Sequence, residues 1–106
     1  MNHKNYFTYI LECSDKSYYV GVTSNLEKRI HEHNFKKYSG YTAIRLPVKL
    51  IWSQQFSDIK EAIKLEKQLK KWSRAKKEAL IKGDFELLKE LSKSTRNRRQ
   101  PSTGSG

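Results

Sequence analysis

Tyr6-Phe7-Thr8-Tyr9-Ile10-Leu11 and Ser17-Tyr18-Tyr19-Val20-Gly21-Val22-Thr23, separated by Ser14-Asp15-Lys16, form the stretch that decides the fold. Both runs are rich in aromatic and β-branched residues, and the polar cluster between them carries turn chemistry, so they form an antiparallel hairpin. With a two-residue turn at Asp15-Lys16, Tyr9 opposes Val22 and Tyr19 faces the other side. One extra residue, from a three-residue loop or a bulge, brings Tyr9 opposite Gly21 and puts Tyr19 on the same face. Gly21 inside a strand marks a bulge or a close approach by another group.

Outward from the hairpin, Ser24-Asn25-Leu26-Glu27 has the form of a capping box with Ser24 as the cap, opening a helix through His33. A polar loop containing Lys36, Lys37, Tyr38, Tyr41 and Arg45 runs to Pro47, and Val48-Lys49-Leu50-Ile51-Trp52 is a third strand. Asp58 caps the longest helix, in which Ile59, Ala62, Ile63, Leu65, Leu69 and Trp72 recur at helical spacing. Two shorter helices follow, Arg74 to Lys82 closed by Gly83 and Phe85 to Leu91 opened by Asp84. The expected class is α+β, a small three-stranded antiparallel sheet flanked by helices. From Ser94 the apolar pattern disappears, giving a domain at 1–93 and a disordered basic, Gly/Ser-containing tail at 94–106.

The chain has 106 residues and a formal charge of +11, from 22 Lys+Arg against 11 Asp+Glu. That size suits one small domain and excludes a large multidomain enzyme. A single cysteine, Cys13, excludes an intramolecular disulfide and a Cys-based zinc site; on a strand it is a small buried hydrophobe rather than a nucleophile. The opening residues lack a secretory apolar stretch, so the expected location is the bacterial cytoplasm, nucleoid association included. The charge favours a polyanionic partner, most often nucleic acid.

Glu66 lies four residues after Ala62 and three before Leu69, within the apolar stripe of the long helix. A carboxylate there must be paired, hydrogen-bonded or metal-bound, and Lys70 one turn on is the plain alternative partner. Arg29 and His33 neighbour each other on the first helix. His31 and His33, two apart, point about 200° from each other and make no metal pair.

Phe7-Thr8-Tyr9, then Tyr19-Val20-Gly21, Asn25-Leu26-Glu27-Lys28-Arg29, His33, and Glu66 within Ala62 to Lys67 together resemble the GIY-YIG nuclease domain, over roughly residues 6 to 82. The loop and the Lys70 to Lys77 segment resemble the small single-domain bacterial branch of that superfamily, related to the amino-terminal incision domain of the excision-repair nuclease. The resemblance implies a three-stranded antiparallel sheet with flanking helices. It also implies Tyr9 and Tyr19 as the motif tyrosines, Arg29 as the catalytic arginine, His33 as a nearby helix position, and Glu66 as the metal-binding glutamate. The first motif departs from Gly-Ile-Tyr only before its tyrosine, and Val22 stands where the repair nuclease has a lysine.

Phosphodiester hydrolysis needs cations for the charge on phosphorus and leaving oxygen, and a base for water. A lone carboxylate suits Mg²⁺ or Mn²⁺, and a guanidinium can fork onto the non-bridging oxygens. Tyr9, Tyr19 and His33 are all candidate bases. Lys67, Lys70, Lys71, Arg74, Lys76 and Lys77, with no acid among residues 67–77, make a one-sign run suited to phosphates; Arg45, Lys36, Lys37 and the tail's Arg96, Arg98 and Arg99 add attraction. The expected function is a Mg²⁺- or Mn²⁺-dependent endonuclease on structured or single-stranded DNA in repair or recombination, RNA being left open. The alternative is a catalytically weak nucleic-acid-binding module of the same fold.

Overall fold

The computed structural model describes the backbone at residues 4–35 and 45–99, and the side chains of these up to residue 93. The expectations placed on Lys36, Lys37, Tyr38, Tyr41, the tail's arginine side chains and the last residues lie outside that range. Strands β1 (Tyr6–Glu12), β2 (Tyr18–Thr23) and β3 (Lys49–Phe56) form one antiparallel sheet in the order β2-β1-β3. The helices are α1 (Leu26–Asn34), α2 (Ile59–Lys71), α3 (Arg74–Lys82) and α4 (Phe85–Arg99). This is the α+β, three-stranded architecture that the sequence predicts.

The hairpin carries the extra residue. Cys13 and Ser17 close a three-residue loop, with the Lys16 N–H donating to the Cys13 carbonyl at 2.9 Å and Lys16 itself left-handed at φ 72°. A type I turn followed by a left-handed residue is the common three-residue hairpin connection. It sets Tyr9 opposite Gly21 and Leu11 opposite Tyr19. Side chains two apart on a strand share a face, so Tyr9, Leu11 and Tyr19 lie on one side of the sheet.

β1 is central, and Thr8, Tyr9, Ile10 and Leu11 are all fully buried. On one face Tyr9, Leu11, Cys13 and Val48 make a cluster against which Leu26 and Ile30 of α1 pack. On the other, Thr8 donates its hydroxyl to the Ala62 carbonyl of α2 at 2.7 Å. The Asn34 side chain exchanges two hydrogen bonds with the Val48 backbone, at 2.8 and 3.3 Å, and so ties the end of α1 to the approach to β3.

Several local readings change. Asn25, not Ser24, caps α1: its side chain accepts from the Lys28 N–H, and the adjacent Thr23 hydroxyl takes the Asn25 N–H. β3 continues past Trp52 to Phe56 because Ser53, Gln54 and Gln55 are exposed on an edge strand, where polar side chains remain in water. α4 continues past Leu91 to Arg99, through residues that composition assigns to a disordered tail. Asp58 and Asp84 cap as expected, Ser73 caps α3 by accepting from the Lys76 N–H, and Gly83 ends α3 at φ 75°.

The chain divides into two compact units after Lys71. In the second, α3 and α4 pack on each other. Among the described residues no helix is long and apolar enough to cross a membrane.

Candidate active site

Tyr9 and Gly21 are cross-strand partners, and the tyrosine ring lies over the glycine. A β-carbon added to Gly21 would stand 2.5 Å from the Tyr9 hydroxyl oxygen and 2.7 Å from the ring carbon bearing it. The missing side chain is therefore the space the Tyr9 ring occupies, which is the close approach that a glycine in mid-strand predicts.

Tyr19 continues the layer. Its ring centroid is 6.5 Å from that of Tyr9, tilted by 40°, and 5.3 Å from that of His33 in an edge-on arrangement. His33 reaches it because Leu26, Arg29, Ile30 and His33 fall on one stripe of α1, the stripe turned to the sheet. His33 is buried, and burial together with the Arg29 charge lowers its pKa, opposed by Glu32. The imidazole is thus neutral at neutral pH.

Arg29 is partly exposed, donates to the Val22 carbonyl of β2 at 3.4 Å, and stands 3.9 Å from the Glu32 carboxylate. With Thr23, Ser24, Asn25, Lys28 and Glu32 it lines a polar cleft of about 350 Å³. Glu32, which lies outside the motif residues, is signalled by its three-residue offset from Arg29 on the helix.

Helix α2, which carries Glu66, packs on the other face of β1 from Tyr9. Thr8 and Tyr9 are adjacent on β1 and face opposite ways, and Thr8 is the one bonded to α2. Glu66 lies between the buried Ala62 and Leu69 as its spacing predicts, its side chain 20% exposed and its carboxylate 3.0 Å from Lys70. Tyr9, Tyr19, Arg29 and His33 are therefore brought together on the α1 face, while Glu66 approaches with α2, which packs on β1 and β2. Among the described residues no group of three or more His, Cys, Asp and Glu gathers as a metal cage.

Of the basic residues, Lys67, Lys70 and Lys71 are exposed on the last turns of α2. In the second unit Arg74 pairs with Glu78 at 2.9 Å, and Lys76 stands 4.7 Å from the Trp72 ring. Burial and the Arg74 charge lower the pKa of Lys77. Arg45 pairs with Asp15 of the hairpin loop at 3.0 Å. Cys13 is buried, and burial raises its thiol pKa, so it packs as a core residue.

Residues 5–79 match the GIY-YIG catalytic domain. The chain belongs to the GIY-YIG catalytic domain family. Within that GIY-YIG set it is 52% identical over 86 residues to a UPF0213 protein of Syntrophus aciditrophicus, covering 80% of this chain and 98% of that one. It is 43% identical to the UPF0213 protein YazA of Bacillus subtilis, over 76% of this chain and 82% of YazA. A solution NMR structure of an E. faecalis protein is similar at TM-score 0.56 and 39% identity, over 81% of this chain and 91% of that one. A solution NMR structure of a UPF0213 protein from Bacillus halodurans matches at TM-score 0.50 and 40% identity, over 74% and 83% of the respective chains. The GIY-YIG assignment places the chain in a nuclease family, whose substrate is nucleic acid.

Proposed function

We propose that the protein is a metal-dependent endonuclease that hydrolyses phosphodiester bonds in structured or single-stranded DNA during repair or recombination in the bacterial cytoplasm. The observation that carries this reading is the continuous layer Tyr9, Tyr19, His33, with Arg29 beside the histidine and opening into a polar cleft.

The donor set suits the metal. Glu66 is a single, partly exposed carboxylate held by a lysine on its own helix, and Mg²⁺ or Mn²⁺ needs one or two carboxylates while keeping several waters. Bound at Glu66, the cation would supply positive charge to the substrate phosphate and the leaving oxygen. Arg29 presents its guanidinium at the cleft, where it can fork onto non-bridging oxygens. His33, kept neutral by burial and by Arg29, is the group able to take a proton from water at neutral pH. Tyr19 packs edge-on to the imidazole and orients it, and Tyr9, seated over Gly21, backs Tyr19. Lys67, Lys70 and Lys71 on α2, and Arg74, Lys76 and Lys77 on α3, serve as phosphate contacts.

One observation favours the second reading, a nucleic-acid-binding module with weak cutting: Glu66 already carries an ion pair with Lys70. A nicking assay over duplex, branched, flapped and single-stranded DNA and the matching RNAs, with and without Mg²⁺, separates the two. Metal-dependent cleavage of a DNA substrate is the expected result. Tight binding with no cleavage of any substrate would replace the nuclease by the binding module.

A further inference from the structure

Thr8 is a hydroxyl in a strand covered on both faces; its neighbours Tyr9, Ile10 and Leu11 are as fully buried as it is. Burying a hydroxyl is costly without a partner, and valine has the same shape without that cost. Packing alone therefore gives no reason for threonine here. Its partner is the Ala62 carbonyl, at 2.7 Å. In an α-helix that same carbonyl accepts the N–H four residues on, which is that of Glu66. The Thr8 hydroxyl and the Glu66 amide thus converge on one oxygen, and alanine at 62, itself fully buried, lets the helix come close.

The other end of the rung holds Arg29. Thr8 pairs with Val22 across the β1–β2 ladder, and the Val22 carbonyl accepts from the Arg29 guanidinium at 3.4 Å. Arg29 and the turn bearing Glu66 are tethered to the same pair of residues, one through the backbone and the other through the hydroxyl.

We propose that Thr8 is a positioning residue, whose bond to the Ala62 carbonyl sets the separation of Glu66 from Arg29. This rests on the reading above, in which the two serve one reaction. Thr8→Val removes the bond and keeps the shape; Thr8→Ser keeps the hydroxyl. The Ala62 carbonyl retains its helical N–H in both, so both variants are expected to fold with thermal midpoints near wild type.

The test combines cleavage kinetics with a measurement on the protein alone. Thr8→Val is expected to lower kcat by about 10- to 100-fold, the scale of small misplacements at a reacting centre, with KM for DNA unchanged, and Thr8→Ser to recover most of the rate. In metal titrations without DNA, Mn²⁺ broadens nearby NMR resonances with steep distance dependence. The broadening of the Arg29 Nε–H relative to the Glu66 amide is expected to change in Thr8→Val and to return in Thr8→Ser. Wild-type kcat and an unchanged broadening ratio in Thr8→Val would overturn the proposal and leave the endonuclease reading standing, as would Thr8→Ser impaired as much as Thr8→Val. A ratio that shifts and is restored, in a protein that cuts nothing, would uphold the positioning role and remove the endonuclease reading.

Discussion

Tyr9 and Gly21 act as a pair, since the ring of one fills the space left by the missing side chain of the other. Gly21→Ala forces the buried ring to move, and overpacking of this kind costs about 1–3 kcal/mol. The expected outcome is a lower thermal midpoint together with loss of cleavage, because Tyr19 packs on the displaced ring and His33 packs on Tyr19. A variant with both properties at wild-type level would show that Tyr9 does not support the layer. His33 supplies a pH test. Its folded pKa is lowered, so as pH falls below about 6.5 the unfolded chain takes up a proton that the folded chain refuses, and stability declines until the lowered value is passed. Above that window the residue adds no pH dependence. Thermal midpoints between about pH 7.5 and 5.5 should therefore fall less in His33→Phe than in wild type. The adjacency of Arg29 and His33 was legible from spacing because both sit on one regular helix, whereas the register that joins Tyr9 to Tyr19 was open between two loop lengths and the roles of all four came from the family resemblance. The α1 cap was not, since Ser24 and Asn25 have equivalent capping chemistry and only the path of the backbone chooses between them.

The hairpin turns on one residue of loop length. Asp15-Lys16 is compatible with either register, and the left-handed conformation of Lys16 settles which occurs. Because side chains with a β-carbon pay about 1–2 kcal/mol in that region, Lys16→Gly should raise stability in chemical denaturation, and Lys16→Val should lower it. An order reversed between the two would contradict the loop geometry. In α2, Lys70 pairs with Glu66 at 3.0 Å and would compete with a cation held there. Lys70→Met should cost at most about 1 kcal/mol, as exposed ion pairs do, and lower the Mg²⁺ concentration needed for half-maximal cleavage. The elements themselves were legible wherever apolar residues recur. β3 and α4 ran longer than expected because Ser53 to Gln55 and Ser94 to Arg99 carry no apolar period, so pattern gives no signal there.

Across the whole chain the formal charge is +11, and the basic residues of α2 and α3 belong to different units. Binding to DNA should weaken with salt. Replacing Lys67, Lys70, Lys71, Arg74, Lys76 and Lys77 by Ala should flatten the slope of log affinity against log salt by about 0.7 to 0.9 for each phosphate that is no longer neutralised. An unchanged slope would move the binding surface elsewhere. The family and the sheet were legible from residue order. What sequence could not supply is that α2, the helix bearing Glu66, packs on the face of β1 opposite Tyr9, because that depends on which side of β1 receives α2, a choice visible only through Thr8 and Ala62. The central claim is that Glu66 nonetheless holds the cation for the reaction, and cleavage by Glu66→Gln tests it most directly. The amide keeps the shape and loses the charge, so Mg²⁺-dependent cleavage should fall by about 10²-fold or more while DNA binding and thermal stability stay near wild type. Full wild-type cleavage by Glu66→Gln would contradict the account.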